Sequence, residues 1–253
     1  MAVPLSVLID SANTLLRPGE FQDYAPNGLQ VEGRESVSLL VSGVTASLAL
    51  VDAAIEVGAD AILVHHGYFW RGEDPCIVGM KGRRIRRLLQ HDISLLAYHL
   101  PLDAHPTLGN NAQLAKQIGL SIKGGLQPLA DFPIGNHGEL AEALPAQEFA
   151  QHVSQVLGRD VLLEAVGNKA VKRVAWCSGG AQSYLSQAAN LGVDCFLTGE
   201  VSEQTIHEAR ELGVHFIAAG HHATERYGAP AVAQHIAREL GVEHRFIDID
   251  NPA

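Results

Sequence analysis

The sequence predicts an α/β fold of two pseudo-repeated lobes with mostly parallel sheets. Strand-like apolar runs alternate with amphipathic helical stretches, the pattern of parallel strands covered by helices. An internal repeat relates residues 39–66, LLVSGVTASLALVDAAIEVGADAILVHH, to residues 173–200, RVAWCSGGAQSYLSQAANLGVDCFLTGE, without a gap at an offset of 134. Both stretches read strand, small-residue turn, helix, glycine, strand. Gly58-Ala59-Asp60 answers Gly192-Val193-Asp194, so an aspartate opens the second strand of each. Strand-like runs also end in histidine pairs: His65-His66 follows Ala61 to Val64, and His221-His222 follows Phe216 to Ala219 and Gly220.

In chain order, Pro4 to Leu16 reads as a helix. Val37 to Val44, Ala61 to Val64 and Ile93 to Tyr98 read as strands with helices between them. Asn110 to Ile118 reads as a helix. From Gly124 to about Gly167 the pattern loosens into short strands and one helix, Ala146 to Leu157. A second unit starts at Val171 and closes with a long helix, His222 to Leu240, and a strand, His244 to Ile249. This organisation divides the chain into an N-terminal lobe, 1–123, and a C-terminal lobe, 124–253, packed with their histidine edges facing each other.

With 253 residues and 47% apolar content, the chain can bury a sizeable core. The formal charge of −10, from 28 acidic and 18 basic residues, disfavours a broad nucleic-acid surface. No apolar run approaches the roughly 18 residues of a membrane span, and the N-terminus lacks a signal pattern. Cys76, Cys177 and Cys195 have no CxxC spacing and read as small apolar side chains in a reducing cytosol. Among thirteen histidines, His91, His137, His152, His235 and His244 stand alone and need no special role.

The two histidine pairs sit where open α/β folds bind ligands, at the carboxyl edge of a sheet. Neighbouring strand residues point to opposite faces, so His65 and His66 serve one cluster only if the strand ends before them; Gly67 would supply the backbone freedom. His221 and Glu225, four apart at a helix start, share a face, and His222 points away. Asp103 follows Pro101 in a segment read as a stiffened loop. Aligning His99 with His221 places Asp103 opposite Glu225, so each half supplies a histidine and a carboxylate after a strand. Imidazole and carboxylate together suit zinc, iron or manganese. His65, His66, Asp103, His221 and Glu225 are too few to saturate two ions, and the open positions point to catalysis. His99 reads as lying close to the metals without binding them. Glu200, at the repeat position of His66, is the candidate catalytic proton donor; the alternative is a carboxylate at a helix start.

Several segments together resemble the YbgI-like family, whose members are named GTP cyclohydrolase 1 type 2 homologues. They are DYAPNGLQVEG (23–33), GVTAS (43–47), GADAILVHHG (58–67), HLPLDAHPTLGNN (99–111), TGEVSEQTIHEA (198–209) and AGHHATE (219–225). The resemblance implies a two-lobed subunit with a dinuclear metal centre between the lobes and a toroidal homohexamer of dimers. It assigns the metal ligands to His65, His66, Asp103, His221 and Glu225. It also implies the compact form, without the domain that longer relatives insert between the lobes.

The function expected is a metal-dependent hydrolase that opens a nucleotide-like ring, GTP being one candidate. The alternative is a non-enzymatic metal-binding ring that binds a partner or DNA. The chain has neither GxxxxGK[ST] nor GxGxxG, so a triphosphate would have to meet scattered basic residues. Lys81, Arg83, Arg84, Arg86 and Arg87 put five positive charges within seven residues. That run reads as a solvated helix face, or as a phosphate-binding stripe lining a ring.

Overall fold

A computed structural model describes residues 1–253. Its N-terminal stretch runs β1 (Val3–Pro4), α1 (Leu5–Leu16), β2 (Gly28–Val31), β3 (Ser36–Val37), β4 (Leu39–Thr45), α2 (Leu48–Glu56), β5 (Ala61–His66), α3 (Gly79–Gln90), β6 (Ser94–Ala97) and α4 (Leu100–Ala104). Next come α5 (Asn110–Ile118), β7 (Ser121–Gly125), β8 (Asn136–Leu144), α6 (Ala146–Leu157), β9 (Leu162–Glu164), β10 (Val171–Cys177), α7 (Leu185–Asn190), β11 (Cys195–Thr198), α8 (Glu203–Leu212), β12 (His215–Ala218) and α9 (His221–Glu225). The chain closes with α10 (Gly228–Leu240) and β13 (Glu243–Phe246). None of these helices is long and apolar enough to cross a membrane.

Packing divides the chain into two compact units. The first is Met1–Leu102 with Gly228–Asp250, and the second is Asp103–Tyr227 with Asn251–Ala253. This division cuts the chain differently from 1–123 and 124–253. The cause is β13, which pairs in parallel with β4 and draws α10 with it into the first unit.

In the first unit the five-stranded sheet has the order β13-β4-β5-β6-β2. Its inner pairings are parallel, and β2 closes the edge antiparallel to β6. Val41, Ile62, Val64, Leu95 and Ala97 face Leu50 of α2 and Ile85 and Leu88 of α3. Helix α10 packs against β4 and β5, with α1 against α10. The central strands are thus covered on both sides, so they read as unbroken apolar runs.

The second unit carries a six-stranded sheet, β7-β8-β10-β11-β12-β9. Only β10, β11 and β12 run parallel; β7, β8 and β9 add antiparallel pairings, so a mostly parallel sheet describes the first unit alone. Strand alternation splits its apolar residues between two cores. Val174, Trp176, Cys195 and Leu197 pack with Phe149 and Val153 of α6. Ala175, Cys177, Phe196 and Phe216 pack with Leu185 of α7 and Ala209 of α8.

The ladder registers carry the sequence offset. Leu40 pairs with Ala61 and Val41 with Ile62, while Val174 pairs with Cys195 and Ala175 with Phe196. The two aspartates explain how each register is held. Asp60 Oδ2 accepts hydrogen bonds from the Ser38 amide at 2.7 Å and the Leu39 amide at 3.0 Å. Asp194 Oδ2 accepts from the Lys172 amide at 3.0 Å and the Arg173 amide at 2.7 Å. In both, the residue that opens one strand satisfies the donors at the start of its neighbour.

Burial alone would raise the pKa of Asp60, but the Ser38 hydroxyl, the two amides and Arg34 outweigh it and leave the carboxyl below 3.8. Asp194 is held low in the same way, with the Arg173 amide and Lys169 opposing burial. A depressed folded-state pKa gives stability that is fully present above the unfolded value and is lost as pH falls through the folded value. Asp60→Asn and Asp194→Asn should therefore each cost about 1–3 kcal/mol at neutral pH in urea unfolding. That deficit should shrink below pH 3.8 as the native carboxyls protonate. An undiminished deficit in acid would rule out the ionised carboxylate as its cause.

Candidate metal centre

The first unit gathers three imidazoles at the carboxyl edge of its sheet. Strand β5 does not end at Val64: its ladder with β4 continues to Thr45↔His66, whereas its ladder with β6 stops at Val64↔Ala97. The terminal residues are thus paired on one side only. The His65 and His66 ring centroids lie 4.4 Å apart, although regular alternation would send them to opposite faces. Gly67 contributes space here, not a positive φ. A Cβ on it would fall 2.2 Å from Gln30 Oε1 and 2.5 Å from the Ala97 Cβ. Gln30 Oε1 instead accepts a hydrogen bond from the Tyr68 amide at 2.6 Å.

His99 completes the group. His65, His66 and His99 each offer one ligand atom, and the three atoms lie within 4.8 Å of one another. Their tautomers follow from their partners. His65 Nδ1 is 3.1 Å from the Tyr98 carbonyl oxygen, which can only accept, so Nδ1 carries the proton and Nε2 the lone pair. His99 Nδ1 is 2.7 Å from Asp23 Oδ1. Burial pushes the Asp23 carboxyl up, but bonds from His99 and Asn27, the His99 charge and the Leu100 amide bring it down to about 2. Asp23 is therefore an acceptor at neutral pH, so His99 Nδ1 carries a proton and Nε2 is the ring nitrogen left to meet a cation. His66 Nδ1 is 3.1 Å from Thr45 Oγ1. The His99 amide is held by Asn27 Oδ1 and the Leu100 amide by Asp23 Oδ2. The turn after β6 is thereby locked from a segment some seventy residues earlier.

Within the second unit the candidate residues are two carboxylates and one imidazole. Asp103 lies in the short helix α4, not in a loop stiffened by Pro101. Its Oδ1 accepts from Asn110 Nδ2 at 2.9 Å and Ser178 Oγ at 3.2 Å. Asn111 ties that pair together: its Oδ1 takes the Ser178 amide, and its backbone carbonyl takes Trp176 Nε1.

The helix expected from His222 to Leu240 is broken at Arg226 and Tyr227 into α9 and α10. On α9, His221 Nε2 is 3.1 Å from Glu225 Oε2, and His221 Nδ1 is 2.7 Å from Glu200 Oε1. Burial lowers the His221 pKa, but the two carboxylates overcome it and raise the value to about 9. Without a cation the ring is an imidazolium clamped between carboxylates; a cation could replace the Nε2 proton while Glu200 keeps Nδ1–H. His99 and His221 are not ladder equivalents. Tyr98 N donates to Val64 O, and Ala219 N donates to Thr198 O, which puts Gly220 level with His99.

Several supporting residues carried no signal in composition or spacing. Asp23, Asn110 and Asn111 lie inside segments that carry the family resemblance but have no titration or periodicity of their own to mark them. Gly179 is the clearest such case. Its φ is +67°, and a Cβ there would lie 2.1 Å from Glu225 Oε1 and 3.1 Å from His221 Nε2. The missing side chain is the room these two groups occupy. Gly179→Ala should thus destabilise the protein more than Gly158→Ala, where φ is +70° and nothing lies within 4 Å. Equilibrium unfolding of both variants checks this; equal losses would mean backbone strain alone accounts for the glycine.

The basic run is partly neutralised within the first unit. Arg87 pairs with Asp52 at 2.7 Å and Lys81 approaches Glu73 at 3.8 Å. Arg83 and Arg86 stay exposed.

Comparison with known proteins finds relatives along the whole chain. Residues 3–252 match the family model described as Duf34/NIF3 (NGG1p interacting factor 3). A Pseudomonas aeruginosa protein named GTP cyclohydrolase 1 type 2 homolog is 57% identical over 253 residues, covering 100% of both chains. A protein of the same name from Escherichia coli K12 is 54% identical over 242 residues, covering 95% of this chain and 96% of its own. Among solved structures, protein ybgI, titled as of unknown function, superposes with a TM-score of 0.95 at 52% identity, over 99% of this chain and 100% of that one. TTHA1606 from Thermus thermophilus gives 0.90 at 34% identity, with the same coverage. The chain belongs to the Duf34/NIF3 (NGG1p interacting factor 3) family.

Proposed function

We propose that this protein is a metal-dependent hydrolase with a dinuclear centre held by His65, His66, Asp103, His221 and Glu225; His99, expected from the sequence only to lie close to the metals, is added as a further donor because its ligand atom lies within 4.8 Å of those of His65 and His66. One observation carries the reading: three imidazoles converge within 4.8 Å, and two of them have Nδ1 committed to an acceptor. That arrangement leaves Nε2 as the ligand atom of both rings, the usual preparation of a histidine for a cation. The donor set fits zinc, iron or manganese. The shared offset of ladder registers supports the duplicated-lobe reading, in which each half contributes to one site.

A pair of divalent cations would supply a nucleophilic hydroxide at neutral pH and a Lewis acid for the electrophile. The protein's own groups prepare for this. Asp23 and the Tyr98 carbonyl keep two rings in one tautomer. Asn110 and Ser178 orient the Asp103 carboxylate through one of its oxygens. Glu200 orients His221 through Nδ1, and its exposed carboxylate would take the proton released by the attacking water and pass it to the leaving nitrogen. The names of the relatives suggest a nucleotide-like ring, GTP among the candidates. The homohexamer that the resemblance implies is part of this proposal, and the single chain exposes Ile77, Val78, Met80 and Leu89 as apolar surface.

Elemental analysis of protein purified without added metal should find two divalent ions per chain. Glu225→Ala should lose metal and nucleotide turnover together. Asp23→Asn should keep the fold and weaken metal affinity about 10–100-fold. A metal-loaded protein inert towards a panel of nucleotides would leave the non-enzymatic ring as the reading. Protein free of metal even after incubation with zinc, iron and manganese would sink both.

A further inference from the structure

Beside the three histidines the first unit builds a wall that the metal chemistry does not require. The turn after β5 places Trp70 edge-on to His99, with centroids 4.9 Å apart at 83°, and 5.9 Å from the His66 ring. The Tyr24 ring also lies edge-on to His99, at 6.3 Å, and Tyr24 is 60% exposed. The Arg71 guanidinium lies 5.9 Å from the Tyr24 ring centroid, and its Nη2 donates only to the Asp23 backbone carbonyl, at 2.9 Å.

This arrangement is held under strain. Phe69, directly before Trp70, has φ +66°, a region that a bulky L residue avoids and that costs free energy unless the surroundings impose it. The surroundings are specific: the Tyr68 amide is fixed by Gln30, Trp70 Nε1 donates to the Gly67 carbonyl at 3.3 Å, and the Arg71 amide donates to the Tyr24 carbonyl. Such strain concentrates at ligand sites. The fold bends Phe69 out of its preferred conformation, and the result is an indole and a phenol flanking a histidine cluster with a guanidinium at the rim.

We propose that Trp70 and Tyr24 form a stacking wall for a planar nitrogen heteroaromatic ring, and that Arg71 receives an anionic group on the same ligand. The chemistry is that of a purine nucleoside monophosphate: a π face for the aromatics and a phosphate for a guanidinium that no carboxylate neutralises. The proposal deepens the functional reading above and rests on it for the metal centre, since the wall would present the ring to the three histidines. Arg71 then discriminates charged from uncharged ligands, while Trp70 sets affinity for the ring.

The two tryptophans make this directly testable. Trp176 is fully buried in the core of the second unit, whereas Trp70 is partly exposed on the turn, so quenching by a stacked base reports Trp70. Titration of the metal-loaded protein with GMP, guanosine and ribose 5-phosphate should quench emission with the first two and not with the third. Calorimetry should give GMP at least about tenfold tighter than guanosine, and Arg71→Gln should remove most of that ratio. Trp70→Ala should weaken GMP at least about tenfold, and Trp70→Phe, which keeps a ring, by much less. GMP binding with unchanged Trp70 emission, equal affinity in Trp70→Ala, or no GMP binding at millimolar concentration would each overturn the proposal. Metal content measured on the same samples separates the two readings. Metal-replete protein without quenching refutes the wall alone, and metal-free protein refutes the hydrolase alone.

Discussion

A hydrogen bond between neighbouring parallel strands decides what the histidines can do. The β5–β6 ladder ends with Val64 opposite Ala97, and the next carbonyl along β6, that of Tyr98, meets His65 Nδ1 at 3.1 Å. A carbonyl has no proton to give, so the imidazole must donate there, and its other nitrogen is left as a base. Slip the register by one residue and His65 would face the opposite side of the sheet. The ligand role proposed for this side chain would thus be a consequence of strand pairing. Asp23 fixes Nδ1 of His99 in the same way, with a carboxylate in place of the carbonyl, whereas His221 has a carboxylate at each nitrogen and would give up its Nε2 proton only to a cation.

Strand pairing is in turn held at the opposite end of each sheet. Asp60 and Asp194 sit where β5 and β11 begin, and each accepts two backbone amides from the neighbouring strand. A strand anchored by a buried carboxylate at its start delivers its last residues to a fixed place. Glycines complete the arrangement by leaving volume: Gly67 admits Gln30, and Gly179 admits Glu225 and His221. The second unit offsets the burial of its carboxylates with a network in which Ser178 and Asn110 donate to one oxygen of Asp103.

Much of this was legible in the residues themselves. The apolar runs of β4, β5, β10 and β11 and the helices Asn110–Ile118 and Ala146–Leu157 follow from periodicity, because burial on one or two faces writes itself into spacing. The aspartates at 60 and 194 and the histidines at the strand ends stand out for the same reason, as polar groups abutting apolar runs. Long-range pairing was not legible. Nothing local to β13 says that it joins β4, some two hundred residues away, and the antiparallel strands β7, β8 and β9 are short or polar. The break between α9 and α10 escapes a helical pattern that continues across Arg226 and Tyr227. Asp23 meets His99 across 76 residues, so only the folded chain identifies it as the group that holds the ring. The strain at Phe69 is equally invisible, since no sequence signal marks a bulky residue at positive φ.

These features form one causal line from anchored strand starts, through register, to imidazole tautomer and a donor set prepared for cations. The most direct test of that line is anomalous diffraction from crystals of the protein grown with manganese or zinc. The account predicts two peaks about 3.5–4 Å apart, bonded through Nε2 of the strand-end histidines and through the Asp103 and Glu225 carboxylates. Strong anomalous density located away from His65 and Glu225, or none under saturating metal, would contradict it.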